Sequence, residues 1–159
     1  MSEFPDTRLR RLREQPAIRS MIRETRLTTS SFVYPMFIRH GSGIKETIDP
    51  MPGCYHISLD LLAEEAQEVY DLGIPAVLLF GLPADKDPLG TEAYDPEGII
   101  QEAIRIIKKA TPDLMVIGDV CLCEYTDHGH CGIINENQID NDQTLDLLGK
   151  TGLAQIQAG

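Results

Sequence analysis

Residues 55–81 read YHISLDLLAEEAQEVYDLGIPAVLLFG, and this stretch decides the fold. Ser58 is placed to cap a helix on which Leu59, Leu62, Ala66 and Val69 share one face at intervals of three and four. Gly73 and Pro75 stop the helix, because glycine accepts the left-handed closing conformation and proline cannot continue the hydrogen-bond ladder. Ala76 to Phe80 is then a short, continuously apolar strand, ended by Gly81 and Pro83.

Working outward, the same unit appears on both sides. The run from Phe32 to Ile38 reads as a strand buried on both faces, although Pro35 removes one ladder donor. Glycines and prolines from His40 to Tyr55 predict a long loop. Downstream, a loop from Pro83 to Tyr94 leads to a helix expected to be capped by Asp95 with Pro96 at its first position. Ile99, Ile100, Ala103, Ile104 and Ile107 form its apolar stripe. Leu114 to Ile117 begins a third strand, and a last helix is expected from about Asp142, with Leu145, Leu148 and Ala154 inward. Alternating strands and helices predict an α/β fold with parallel strands, either a doubly wound sheet or an eight-stranded barrel. No GxGxxG follows the first strand, which removes the usual reason to prefer a dinucleotide-binding sheet.

The chain has 159 residues, 42% of them hydrophobic, which suits one soluble domain. With no apolar run near the roughly 20 residues needed to span a bilayer, and a charged N-terminus, the expectation is a cytoplasmic protein without a membrane role. The net charge of -11 is unevenly spread. Seven arginines (Arg8, Arg10, Arg11, Arg13, Arg19, Arg23 and Arg26) precede residue 27, whereas the remainder is strongly acidic and would repel a phosphate backbone. The expectation is therefore that the body has no nucleic-acid role. Residues 1–30 read as an arm, with a short helix in which Ile18, Met21 and Ile22 share a face, and residues 31–159 as the body. An acidic body makes another subunit the natural partner for the basic arm.

Three of the four cysteines lie in the segment 119–131, DVCLCEYTDHGHC. Cys121 and Cys123 are two apart, so on an extended chain both sulfurs face the same side, and Cys131 returns on a polar loop. Three thiolates around a zinc ion leave a fourth tetrahedral position open, the arrangement of a catalytic site. The spacing is not that of a structural zinc finger, and buried reduced cysteines packing as small apolar groups, or a redox thiol cluster, remain alternatives. His128 and His130 compete as ligands or serve as outer-sphere donors. Asp119 projects to the same side as Cys121 and can accept from a substrate ammonium or cap the loop. Cys54, alone in a Pro/Gly loop, is not counted as a ligand. No Ser/His/Asp spacing supports nucleophilic hydrolysis.

The motif DVCLCEYTDHGHCG resembles the zinc signature of the porphobilinogen synthase (5-aminolevulinate dehydratase) family. RLRRLREQPAIRSMIRETRLT, YPMFI, MPGCYHISLDLLAEEAQEVYDLGIPAVLLFG and EAYDPEG resemble the same family in order and spacing. That resemblance implies a (β/α)8 TIM barrel, of which this chain holds the N-terminal arm and about the first three βα units. It implies condensation of two 5-aminolevulinate molecules to porphobilinogen with loss of water, in heme biosynthesis. It further implies zinc held by Cys121, Cys123 and Cys131 as a Lewis acid, Asp119 beside the amino group of the second-bound substrate, and a homo-octamer joined through the arm. The family's two Schiff-base lysines belong to later strands. Lys45, Lys86, Lys108, Lys109 and Lys150 are placed in loops or on helices, so these residues alone are expected to be inactive. The competing expectation is a non-catalytic zinc-binding or assembly module.

Overall fold

The computed structural model describes Pro5 and residues 10–159. The part of the arm that falls on residues 1–4 and 6–9, Arg8 included, lies outside the described residues. The segment that follows holds two short helices, α1 (Arg11–Glu14) and α2 (Pro16–Ile22). Proline at the start of α2 supplies a pre-set φ and gives up a donor that would be unpaired there anyway. The apolar face of α2 is present, but no described residue covers it: Met21 is 79% and Ile22 49% exposed.

The body is one open sheet with helices on one face. In chain order come β1 (Val33–Arg39), β2 (Lys45–Thr47), β3 (Tyr55–Ser58), α3 (Leu59–Asp71), β4 (Ala76–Leu82), α4 (Ile99–Ala110) and β5 (Met115–Gly118). A hairpin of β6 (Ile133–Asn135) and β7 (Gln138–Asp140) precedes α5 (Asn141–Ala158). The sheet order is β2-β3-β1-β4-β5. The three expected strands are parallel neighbours, with β1 paired to β4 along its whole length, Val33 opposite Ala76 through Arg39 opposite Leu82, and β4 paired to β5.

Two strands lie where a loop was expected. β3 runs parallel to β1 over only three residue pairs, and β2 adds to it antiparallel. Lys45 is therefore on a strand, neither loop nor helix, and its ammonium is bonded to Glu65 at 2.8 Å. Ser58 does occupy the residue before α3, but its hydroxyl makes no cap bond to the helix backbone. It accepts instead from the Ile44 N–H (2.9 Å) and donates to Asp60 (2.5 Å), so it ties the β2 loop to the helix start.

The pleat explains where the core sits. Met36 and Ile38 of β1 and Val77 and Leu79 of β4 point to one side, where they meet Leu62, Ala66 and Val69 of α3 and the isoleucine stripe of α4. Each fully buried aliphatic chain contributes about 1.5–3 kcal/mol. The other face carries no described helix: Val33, Met115 and Ile117 are exposed there. Burial of β1 on both faces is thus not met within this chain, and the sheet does not close into a barrel.

Helix α4 begins three residues later than the sequence suggests, at Ile99 and not Pro96. The Asp95 carboxylate and carbonyl accept from Glu97 (2.8 Å) and Gly98 (2.9 Å), which folds the segment from Asp95 to Gly98 into a turn. Gly98 is the residue before the helix, and a Cβ there would collide with the Glu92 carbonyl. The carboxylate of Glu92 reaches across to accept from the Ile99 N–H at 3.3 Å. The α5 start comes close to expectation, with Asp140 accepting from the Gln143 N–H at 3.1 Å. Its inward face is formed by Thr144, Leu147, Thr151, Ala154 and Gln155, while Leu145 is 65% exposed.

Candidate metal centre

The three sulfurs of the motif converge at the C-terminal end of β5. The strand's ladder continues one residue past Gly118, with the Asp119 N–H donating to the Leu79 carbonyl at 3.3 Å. Gln155 of α5 holds the next group by donating to the Asp119 carbonyl at 2.9 Å. Leu122 then turns inward and is fully buried, and its carbonyl accepts from both Tyr125 and Thr126 at 2.9 Å. This turn carries Cys121 and Cys123 on either side of it, with their sulfurs 3.2 Å apart.

Cys131 returns because the loop is closed twice. The Thr126 hydroxyl donates to the His130 carbonyl at 2.9 Å, and the Ile133 N–H donates to the Thr144 hydroxyl at 3.0 Å. The Cys131 sulfur lies 3.3 Å from that of Cys121. Beneath the loop, Leu122, Tyr125, Ala93, Ile133 and Leu147 form a small core separate from the main one. The hairpin turn after it uses Glu136 and Asn137 in the left-handed conformation.

All three sulfurs lie within 4.8 Å of one another. Tetrahedral bonds of about 2.3 Å to zinc would separate them by roughly 3.8 Å, so small side-chain rotations bring the set onto one ion. Soft thiolates suit zinc and not magnesium or calcium. Among the described residues no carboxylate or imidazole joins this cluster as a fourth donor. Burial and the neighbouring thiols matter to its chemistry. Burial pushes the Cys121 thiol above its ordinary pKa, and for Cys123 the hydrogen bond with Cys121 is the larger cause, with burial second. A metal ion must displace these protons on binding.

The histidines stand apart from the cluster. The Nδ1 of His128 accepts from the His130 N–H at 3.2 Å, and the two rings stack with centroids 5.6 Å apart. The Nε2 of His128 is buried without a protein partner. Cys54 is likewise outside the thiol cluster, in the turn before β3.

One residue of the motif carried no signal in the sequence reading. Glu124 lines a cavity of about 290 Å³ at the C-terminal ends of β1 and β4, on the face without helices. Phe37 and Phe80 form its aromatic wall, stacked at 5.1 Å, and Lys86 stands at the same cavity. Burial first, and the nearby Asp119 carboxylate second, push the Glu124 carboxyl up to about 7. Its position between two cysteines was visible, but only the fold reveals that it turns into a cavity.

A consequence for stability follows. Between the unfolded value near 4.5 and the folded value near 7, the folded protein holds the Glu124 proton more tightly. Stability from this group is therefore lost as pH rises through that window. Glu124→Gln is expected to flatten the pH dependence of unfolding of the metal-free protein and to stabilise it at pH 8. An unchanged profile between pH 5 and pH 8 in chemical denaturation would refute this.

The chain matches the family model for delta-aminolevulinic acid dehydratase over residues 6–159. It is 51% identical over 152 residues to the delta-aminolevulinic acid dehydratase of Halalkalibacterium halodurans, covering 96% of this chain and 46% of that protein. It is 48% identical over 157 residues to that of Methanothermus sociabilis, covering 99% and 49%. The crystal structure of the Toxoplasma gondii enzyme in complex with its reaction product, porphobilinogen, superposes with a TM-score of 0.90 at 34% identity, covering 96% of this chain and 44% of that one. The chain thus spans about half the length of the relatives it matches. On a match that runs through the arm, the sheet and the three-cysteine loop alike, the chain belongs to the delta-aminolevulinic acid dehydratase family.

Proposed function

We propose that the intact protein is a porphobilinogen synthase, a hydro-lyase that condenses two 5-aminolevulinate molecules with loss of water in heme biosynthesis. The observation that carries this is the convergence of three sulfurs at the end of a parallel strand, beside a cavity, in a chain of this family. Cys121, Cys123 and Cys131 would hold zinc, which when bound supplies a Lewis acid for the substrate carbonyl. Asp119 sits two residues before the first thiol and would accept from the substrate ammonium.

Three of the chain's lysines are engaged elsewhere and do not serve as imine formers. Lys45 is paired with Glu65, Lys108 lies near the Pro112 and Leu114 carbonyls, and Lys150 faces Asp146. Covalent anchoring of a carbonyl substrate needs a lysine of depressed pKa in apolar surroundings, and this would come from sequence outside these residues. We place the remaining strands of a (β/α)8 barrel there as well, against the free edge of β5 and the uncovered sheet face. The exposed Met21 and Ile22 on α2 support docking of the arm on another subunit, as in a homo-octamer. No described helix is long and apolar enough to cross a membrane, and we assign the enzyme to the cytoplasm.

Incubating the intact protein with 5-aminolevulinate tests this. Porphobilinogen should form, and its formation should stop on chelation and resume with zinc but not with magnesium. A protein that binds zinc in the three-thiol site yet forms no product would be a non-catalytic zinc module instead.

A further inference from the structure

Beyond the packing of Leu122 and Tyr125, the three-cysteine loop is fastened to the loop after β4 by backbone hydrogen bonds at Asp87. Asp87, in the loop after β4, donates its N–H to the Tyr125 carbonyl, and its own carbonyl accepts from the Asp127 N–H, both at 3.3 Å. These two bonds bracket Thr126 in an isolated parallel bridge. Thr126 is fully buried, and its hydroxyl donates to the carbonyl of His130, the residue immediately before Cys131. On the other side, the Asp87 carboxylate fixes the conformation of its own turn: one oxygen accepts from the Leu89 N–H at 2.8 Å, and the other accepts from the Thr91 N–H at 3.0 Å and from the Thr91 hydroxyl.

From this continuous relay we infer that Asp87 and Thr126 are positioning residues for the three-thiol site: the Asp87 turn holds Thr126, and Thr126 holds the backbone that brings Cys131 back to Cys121. Neither side chain is among the thiol donors. The cysteines of the 121–123 segment are seated by the buried Leu122, whereas Cys131 is exposed and depends on the loop closure. The relay thus acts on the ligand that packing fixes least. It also ties the loop after β4 to the loop after β5 at the mouth of the sheet.

This inference rests on zinc binding by the three cysteines, and the test separates the two. Zinc affinity of the intact protein is measured by competition with a chromophoric chelator, and cobalt(II) is substituted to read the sulfur-to-metal charge-transfer band. Thr126→Val keeps the side-chain shape but removes the donor, and Asp87→Ala removes the turn acceptor. Each is expected to weaken zinc binding by roughly tenfold or more, as loss of an outer-sphere partner does, and to reduce the cobalt–sulfur band. Thr126→Ser and Asp87→Asn retain a hydroxyl and an acceptor, and should restore most of the affinity. Because the two residues act in series, the double variant should bind only slightly more weakly than either single variant.

Affinity within twofold of the parent in Thr126→Val would overturn the relay, as would losses in the double variant that simply multiply. If Asp87→Ala does not fold, Thr126→Val and its serine counterpart carry the test alone. A parent protein that takes up no zinc fails at a different point, since it removes the metal site itself.

Discussion

On the proposed function, Cys131→Ser in the intact protein is expected to lose zinc and dehydratase activity together, each by at least roughly a hundredfold. A fully thiolate- and imidazole-bound structural zinc site binds with about 10–16 kcal/mol, so one ligand of such a set accounts for several kcal/mol. Serine keeps the size of the side chain but offers an oxygen that ionises far less readily than a thiol, and it leaves the ion with two sulfurs. Cys131 is the most exposed of the three and Cys121 and Cys123 keep their mutual contact of 3.2 Å without it, so the fold should survive. Zinc per subunit, measured by atomic emission, and product formation, measured on the same sample, give the answer. Full activity in a sample stripped of metal would remove zinc from the reaction.

The second large effect lies one residue from two of the clustered thiols. Leu122 is fully buried in the small core with Tyr125, Ala93, Ile133 and Leu147. Truncating a buried leucine to alanine removes its transfer energy and leaves a cavity, together about 2–5 kcal/mol. Here the same side chain also sets the turn that aims Cys121 and Cys123. Leu122→Ala should therefore destabilise the zinc-loaded protein more than the metal-free protein, because a ligand that binds the folded state less tightly adds less stability. Denaturant unfolding with and without zinc measures both. Equal losses in the two states would mean that the packing under the loop and the geometry of the thiols are independent.

Much of this arrangement was readable from residue order, for identifiable physical reasons. The β4 run Ala76–Leu82 and the helix before it were legible because a buried parallel strand is continuously apolar and its neighbouring helix repeats near 3.6 residues. The thiol cluster was legible because the cysteines lie close in sequence at the end of a strand. What stayed hidden depends on contacts between distant segments. β3 has only four residues, too few for a period to register, and it exists through its pairing with β1. The start of α4 is set by Glu92 and by the crowding around Gly98, so a capping rule applied to Asp95 missed it. Glu124 and Asp87 looked like ordinary loop acids. Only the meeting of the two loops gives one a cavity to face and the other a turn to hold.

The hidden half of the core has a physical reading too. The face of the sheet without helices keeps Met115 at 60% and Val33 at 49% exposed, beside the free edge of β5. An uncovered apolar face next to an unpaired strand is a surface for further strands. Its aromatic pair, Phe37 and Phe80, lies directly beneath the cavity that the metal loop borders.

X-ray absorption at the zinc edge of the intact protein addresses the metal site most directly. Three sulfur neighbours at about 2.3 Å and a single lighter atom, exchangeable with added substrate, are the expected shell. A shell completed by a fourth protein ligand, or one with fewer than three sulfurs, would contradict an open three-cysteine centre.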